Sequence, residues 1–504
     1  MTTAPDTTPA PFAAVVETVS GVVFFVGDRA YKLKKPVSLG FLDFRDRVTR
    51  HVICQREVEL NSRLAPDVYL GVADVIGPDG SVCDHLIMMR RLPDDRRLAH
   101  LINTGAPVEE LIRQVASVLA AFHARAERSS DIDVAASHDA VRARWDADSQ
   151  ALGRLVPAHV DPDLAARVTR LALRYLIGRA PLFESRIAAT HICDGHGDLL
   201  ADDIFCLPDG PRILDCLEFD DRLRQGDVLG DIAFLVMDLE RLGRPDLARV
   251  FVDHYRRVSG ERWPSSLEHY YCAQRAQVRA LVAGLRASKG DAQADASCRR
   301  LLDLAASHLA AGRVRLVVVG GLPGTGKSTL ATEVGSALGA RVLRSDEVRK
   351  RLAGVAPTQG LPAPFGQGIY APSMTAATYR AMLDEARSVL PMGESVVLDA
   401  TFVDPAWRTA ACAVASETVA DLIELHCVAP QGLARSRVAR RRRRGGDASD
   451  ATYSVMRELA RREAAWPTAA DVDTGAPSDA LRLEVRELLG VAGCVAAPLS
   501  PSGS

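Results

Sequence analysis

Two short stretches of this 504-residue chain carry residue types spaced for phosphate chemistry. Residues 321 to 329 read GLPGTGKST and satisfy the P-loop pattern. In that pattern a glycine-rich turn lets successive backbone N–H groups face an anion, and the following helix adds the positive end of its dipole. Gly321, Leu322, Pro323, Gly324, Thr325, Gly326, Lys327, Ser328 and Thr329 are therefore the expected ATP-binding loop. Lys327 would reach the outer phosphates, and the Ser328 hydroxyl would ligate magnesium. Residues 196 to 204 read HGDLLADDI, with Asp203 five positions after Asp198, the spacing of a kinase catalytic loop.

Each stretch has partners elsewhere in the chain. Asp399 closes the apolar run VVLD, where a magnesium-orienting carboxylate would stand, and Asp346 closes VLRSD on what reads as another strand. A hydroxyl nucleophile needs an acid to accept or orient its proton, and Asp346 is the candidate. Either acid could instead cap a helix. Arg437, Arg440, Arg441 and Arg444 recur at spacings of three and four, which suits a lid over transferring phosphate, with Arg437 and Arg441 assigned to ATP. A solvated basic helix and a nucleic-acid patch are the alternatives for this run. It has no interleaved aromatic residues to stack on bases.

Around HGDLLADDI, the runs IFCL and RILD flank a Pro-Asp-Gly turn, so a hairpin would bring Asp203 and Asp215 side by side. Adjacent carboxylates repel unless a cation lies between them, which makes this pair a candidate magnesium site. Asp198 then falls where a kinase base would accept the substrate proton. Lys32 and Lys34 point to one face of a strand, and Glu57 lies on the next helix. A lysine–glutamate pair of that kind holds the phosphate-contacting lysine in kinase folds. Lys32 is the better match and Lys34 the reserve; a solvated charged strand would also read this way.

The elements needed to position these residues are legible in outline. GVVFFV and RAYKLK read as strands joined at Gly27-Asp28, FRDRVTRHVICQREVELNSRLA as an amphipathic helix, and SVCDHLIMMRRL as a further strand. From Leu98 to about Ala189, and again from Asp227 to about Ala311, apolar residues recur at helical spacing. Asp227 is a cap candidate, His123 reads as a packed histidine, and Gly312 is a natural helix stop. RLVVVGGLPGTGKSTLATEVGSAL then reads as strand, loop and helix, and the alternation that follows predicts a parallel sheet. The expected organisation is a mobile tail over 1–10, an α+β small lobe over 11–92, a helical large lobe over 93–311, an α/β domain over 312–495 and a mobile tail over 496–504.

Composition sets the class. The chain is 47% hydrophobic and 25% charged, with a net charge of −2, which suits folded domains and shows no overall basic footprint for nucleic acid. It lacks an apolar run of membrane-spanning length, and its first basic residue is Arg29, so a cytoplasmic location is expected. The ten cysteines form no Cys-x-x-Cys pair and read as reduced core residues.

Residues 313 to 470, through GLPGTGKS, SDEVRKRLAG, VVLDATF and the arginine run, resemble P-loop small-molecule kinases related to zeta toxins, gluconate kinase and polynucleotide kinase. The resemblance implies that Asp346 and Arg349 handle the substrate hydroxyl. Residues 20 to 285, through AYKLKKP, REVELN, HGDLLADDI and LDCLEFDD, resemble the aminoglycoside phosphotransferases, a branch of the protein-kinase-like fold. The whole order resembles a two-domain bacterial family described as bifunctional aminoglycoside phosphotransferase and ATP-binding protein. The family loop has His and Asn where Leu200 and Asp203 stand here, so three acids crowd the first metal site. The expectation is an ATP- and magnesium-dependent phosphotransferase acting on small-molecule hydroxyls, without nucleic-acid or membrane partners and with its oligomeric state open. A regulatory, nucleotide- or metabolite-sensing first half and a nucleic-acid end kinase are the alternatives.

Overall fold

A computed structural model describes residues 13–17, 20–38, 43–356, 359, 366–444, 452–476 and 478–490, without the side chains of 441–444 and 478–480. The tails expected at 1–10 and 496–504 lie outside the described residues. The chain divides into two compact units. Met1–Ala166, Phe183–Trp263 and Tyr271–Ala306 make up the first, and Arg167–Leu182, Pro264–Tyr270 and Ser307–Ser504 the second.

The first unit opens with an antiparallel five-stranded sheet. Its strands are β1 (Ala13–Glu17), β2 (Gly21–Val26), β3 (Arg29–Lys34), β4 (Tyr69–Ile76) and β5 (Val82–Arg90), in the order β1-β2-β3-β5-β4. The β-branched and aromatic content of GVVFFV suits a pleated surface, and Gly27, at φ 60°, permits the tight turn into β3. Strands β1 and β4 escaped the sequence reading, because five mostly exposed residues and a strand containing Gly71 give weak alternation. Helix α1 (Arg47–Asn61) starts at Asp46, whose carboxylate accepts from the Thr49 N–H at 2.8 Å. Its Cys54 packs with Ala65, Val68, Tyr69 and Ile87 in one core. Lys32 lies opposite Ile87 in the ladder, and cross-strand neighbours share a face, so Lys32 points toward α1.

The helical part of this unit surrounds helix Val228–Arg241, in which every residue from Val228 to Leu239 is buried. Asp227 caps that helix, accepting from Leu229 N–H at 2.9 Å. His123 is a packed histidine: its ring meets Tyr255 Oη at 2.8 Å and Asp231 Oδ2 at 3.1 Å, both buried. Two small antiparallel pairs carry the catalytic-type loop, β6 (Ile192–Asp194) with β9 (Gln225–Asp227) and β7 (Ile204–Leu207) with β8 (Gly210–Ile213). A sheet-bearing lobe and a helical lobe joined in this way form the two-lobed, protein-kinase-like fold expected from the sequence.

The second unit contains the α/β domain predicted by the alternation of elements, together with Arg167–Leu182 and Pro264–Tyr270, which the sequence reading had placed in the helical large lobe. Strands β10 (Arg315–Gly320), β11 (Arg341–Arg344), β12 (Val396–Asp399), β13 (Asp421–Val428) and β14 (Ala470–Asp473) form one parallel sheet in the order β11-β12-β10-β13-β14. Val317, Val319, Val397 and Leu425 meet Leu330, Ala331 and Val334 of helix Lys327–Leu338 in a dry core. The chain crosses from one side of β10 to the other, so a crevice opens at the strands' carboxyl ends. One expectation needs correcting. Asp346 does not close a strand: β11 ends at Arg344, and Asp346 sits in the first turn of helix Ser345–Leu352. An acid there complements the helix dipole, and the turn still lies at the ligand edge of the sheet.

Among the described residues no helix is long and apolar enough to cross a membrane. The nine described cysteines are all free thiols.

Candidate active sites

The loop at 321–326 has the geometry its glycines imply. Gly321, Gly324 and Gly326 all have positive φ, at 130°, 87° and 90°. A Cβ on Gly324 would lie 2.4 Å from the Ala434 carbonyl oxygen, and one on Gly326 would lie 2.9 Å from Thr474 Oγ1. Shape and packing thus both exclude side chains, and the loop leads into the start of helix Lys327–Leu338, with the Gly321 N–H held by Thr401 O at 3.0 Å and the Thr325 N–H by Leu322 O at 3.2 Å. Thr474, at the end of β14, braces the loop from behind: its hydroxyl donates to the Thr325 carbonyl. Lys327 Nζ donates to Leu322 O at 2.9 Å, so the ammonium is folded over the loop it serves.

Two hollows meet at Lys327 and Ser328. One, of about 320 Å³, is lined by Gly324, Gly326, Thr329, Arg437, Arg440 and Thr474. Arg437 is fixed there by donating to Thr474 Oγ1 at 3.2 Å and to Thr474 O at 2.8 Å. The Arg441 side chain lies outside the described residues. The other hollow, of about 560 Å³, has Lys327, Ser328 and Asp399 on one wall and Asp346, Arg349 and Tyr379 among its other lining. Arg349 Nη1 donates to Asp346 Oδ1 at 2.6 Å, which orients that carboxylate. Burial pushes the Asp399 carboxyl up, against the pull of Lys327 and of a hydrogen bond from Ser328. A buried acid beside a hydroxyl, with its ionised form poorly solvated, is a donor set that a magnesium ion would satisfy.

Sequence reasoning missed the aromatic wall of this larger hollow. Tyr379 stacks on Trp407 with ring centroids 4.9 Å apart, and its hydroxyl accepts from Phe402 N–H at 3.0 Å. Tyr379 and Trp407 lie on different helices with no local motif to join them. Thr474 was missed for the same reason, standing 149 residues from the Thr325 it supports.

The first unit builds its site differently, from side chains drawn from five places in the chain. Lys32 Nζ lies 2.8 Å from Glu57 Oε1 and 2.9 Å from Asp215 Oδ1. Lys34 also reaches Glu57, at 2.5 Å, and bonds Glu218. Glu57 is fully buried between the two lysines. Burial opposes its charge, but Lys32 and Lys34 together hold the carboxyl below its ordinary range. Both lysines therefore serve one glutamate, and Lys32 alone also reaches the cleft acid. Glu218 was not singled out from LDCLEFDD, although it completes this network.

Asp198, Asp203 and Asp215 converge as the hairpin reading requires. The Leu214 N–H donates to the Asp203 carbonyl at 3.0 Å, closing the turn between the two acids. Asp215 adopts φ 64°, two residues past the end of β8 rather than at its end. Such a left-handed non-glycine conformation persists where its surroundings over-determine it. Here the next N–H, of Cys216, is held by Asn61 Oδ1 at 2.9 Å. The Asp215 side chain remains 54% exposed, open to the cleft. Lys32 drives its carboxyl down to about 2. Asp203 is pushed the opposite way, far up, by burial and then by Asp215 and Asp198. Burial also raises Asp198, whose Oδ2 accepts from Arg279 at 3.1 Å while its Oδ1 is buried without a partner. An unpartnered acceptor is what a general base needs. Arg279 lies 81 residues away on a helix with no distinguishing pattern, so the sequence reading had no means to find it.

The loop is held from below by one carboxylate. Asp231 accepts from His196 N–H at 2.7 Å and Gly197 N–H at 2.8 Å, and bonds His123. His196, buried and bonded through Nε2 to Leu214 O at 3.0 Å, is thus a scaffold residue for the aspartates around it.

The uncharacterized protein Rv2004c of Mycobacterium tuberculosis (strain ATCC 25618 / H37Rv) is 42% identical over 469 residues, covering 93% of this chain and 94% of that one. The chain belongs to the same family. Residues 316–465 match the AAA domain family. Among solved structures, a sugar kinase from Janibacter sp. HTCC2649 is 18% identical, covering 37% of this chain and 99% of its own, with a TM-score of 0.28. The GDP and kanamycin complex of an aminoglycoside 2″-phosphotransferase is 17% identical, covering 60% of this chain and 95% of its own, with a TM-score of 0.38.

Proposed function

We propose that this family member is an ATP-dependent phosphotransferase with two nucleotide sites, each passing the γ-phosphate to a hydroxyl group of a small molecule. The observation that carries the reading is that one 560 Å³ hollow is lined both by Lys327 and Ser328 and by the Asp346–Arg349 pair. A hydroxyl seated there could give its proton to Asp346 while Lys327 and the loop amides hold the departing phosphate chain. Ser328 and Asp399 in the second unit, and Asp203 and Asp215 in the first, would hold magnesium, which when bound neutralises charge on the transferring phosphoryl group. In the first unit Lys32 would contact phosphate, held by Glu57, and Asp198 would take the acceptor's proton through its free oxygen. The reading matches the two-domain family described as bifunctional aminoglycoside phosphotransferase and ATP-binding protein, and it implies a small-molecule partner and no nucleic acid.

A test follows from the second unit. Full-length protein with ATP and magnesium should form ADP faster when pools of sugars, amino alcohols or nucleosides are added. With the first unit's base removed by Asp198→Asn, adding Asp346→Asn should abolish the stimulation that remains while leaving ATP binding intact. Stimulation that survives both substitutions would overturn the assignment.

A second reading applies to the first unit alone. Arg279 already engages Asp198, and three acids compete in one cleft, an arrangement that also suits a nucleotide-binding regulatory domain. Under that reading Asp198→Asn leaves every phosphotransfer activity of the full-length protein unchanged.

A further inference from the structure

Strands β4 and β5 place Asp74 directly opposite His85, and α1 lays His51 against them. His85 Nδ1 lies 2.8 Å from Asp74 Oδ1, and the His51 and His85 rings sit 4.1 Å apart, tilted by 52°. One ligand-type atom from each of the three residues lies within 4.8 Å of the other two. His51 Nδ1 is buried and has no hydrogen-bond partner. None of the three takes part in the sites described above.

Two imidazoles and a carboxylate within this distance offer three lone pairs to one point. Zinc bound at about 2.0–2.1 Å to nitrogen and oxygen needs tetrahedral ligand atoms roughly 3.4 Å apart. The Asp74 side chain is 52% exposed and held by His85 Nδ1 at 2.8 Å, so closing the triangle exchanges that hydrogen bond for a metal bond. The frame is already fixed on both flanks. Arg50, next to His51, donates to both oxygens of Asp84, next to His85, at 3.0 and 2.9 Å. That pair cancels its own charge. Arg47 adds a further tie from α1 to the Val82 carbonyl.

We propose that His51, Asp74 and His85 bind a divalent transition-metal ion, zinc by ligand type, which fastens the N-terminal half of α1 to strands β4 and β5. Imidazole favours zinc and its neighbours over magnesium or calcium, and three protein ligands leave a fourth position for water. The helix so fastened is the one that carries Glu57, so the ion would restrain the partner of Lys32 and Lys34 from outside the cleft.

The test uses full-length protein stripped with a chelator and then titrated with zinc, and separately with cobalt as a visible-absorption probe. Thiols and the acidic clefts also attract metals, so the variants decide the assignment. The parent should bind one zinc tightly, show tetrahedral cobalt bands and gain melting temperature with zinc. His85→Gln and Asp74→Asn should each weaken that binding by ten-fold or more and lose the thermal shift. Asp74→Asn, half exposed on a strand, should melt like the parent when both are held in chelator, which separates loss of a ligand from loss of fold. Zinc affinity and thermal shift unchanged in the variants, or no tight zinc in the parent, would overturn the proposal.

Discussion

The two candidate phosphate sites solve one electrostatic problem by different means. In the second unit the cradle is backbone: three glycines with positive φ, a helix start and one lysine, all within eight consecutive residues. In the first unit it is side chains: Lys32 and Lys34 against Glu57, Asp215 and Glu218, brought together from strand, helix and loop. Backbone amides carry no net charge and need no counter-charge in the empty state. Side-chain charges do, and the first site is accordingly an internally paired network whose members hold one another when no nucleotide is present. Loss of charge should therefore impair function in the second unit and folding in the first.

The sharpest way to break that contrast is Glu57→Ala, which removes the buried carboxylate the two lysines share and leaves Lys32 with Asp215 and Lys34 with Glu218 only. The expected cost is about 3–5 kcal/mol of stability, read from chemical denaturation. A change below 1 kcal/mol would mean the network is not what holds the lobe. Lys327→Ala should do the reverse, lowering the second unit's share of phosphotransfer by roughly 10²–10³-fold with the melting temperature unaltered. Gly324→Ala sharpens the backbone side of the comparison. Its Cβ meets the Ala434 carbonyl at 2.4 Å in a left-handed conformation, so a cost of about 1–3 kcal/mol is expected, with weaker ATP binding in calorimetry.

The smallest effect carries the most chemistry. Asp203 has its folded-state pKa raised by burial and by two neighbouring acids, so it is most compatible with the fold when protonated. Its contribution to stability falls as pH rises from the ordinary aspartate range through the raised value. Asp203→Asn removes that penalty. Without magnesium the variant should melt higher than the parent, by roughly 2–4 °C for each kcal/mol gained, and the gap should widen from pH 4 to pH 7. Asp215 works in the opposite sense. Its pKa of about 2, set by Lys32, makes its contribution complete above the ordinary aspartate value and lost as the pH falls toward 2.

The same contrast explains what could be read from the sequence. The P-loop was legible because its chemistry is contiguous, the Asp203–Asp215 pairing because a Pro-Asp-Gly turn joins the two runs, and the Lys32–Glu57 pair because kinase folds hold their phosphate-contacting lysine in this way. Arg279, Glu218, Thr474 and the Tyr379–Trp407 stack were not legible, since each meets its partner only through tertiary packing. Asp346 shows the limit within a local motif. The acid was placed at the right edge of the sheet, but assigning it to helix or strand depended on where a four-residue strand stops. Strand β4 was hidden by Gly71, whose φ of 139° interrupts the apolar alternation.

The central claim is that both sites take nucleotide independently. The most direct measurement is to count ATP bound to full-length protein by calorimetry with magnesium, in the parent and in Lys327→Ala and Asp215→Ala. The account predicts two sites in the parent, with a different one lost in each variant. One site in the parent, lost with Lys327→Ala and untouched by Asp215→Ala, would contradict it.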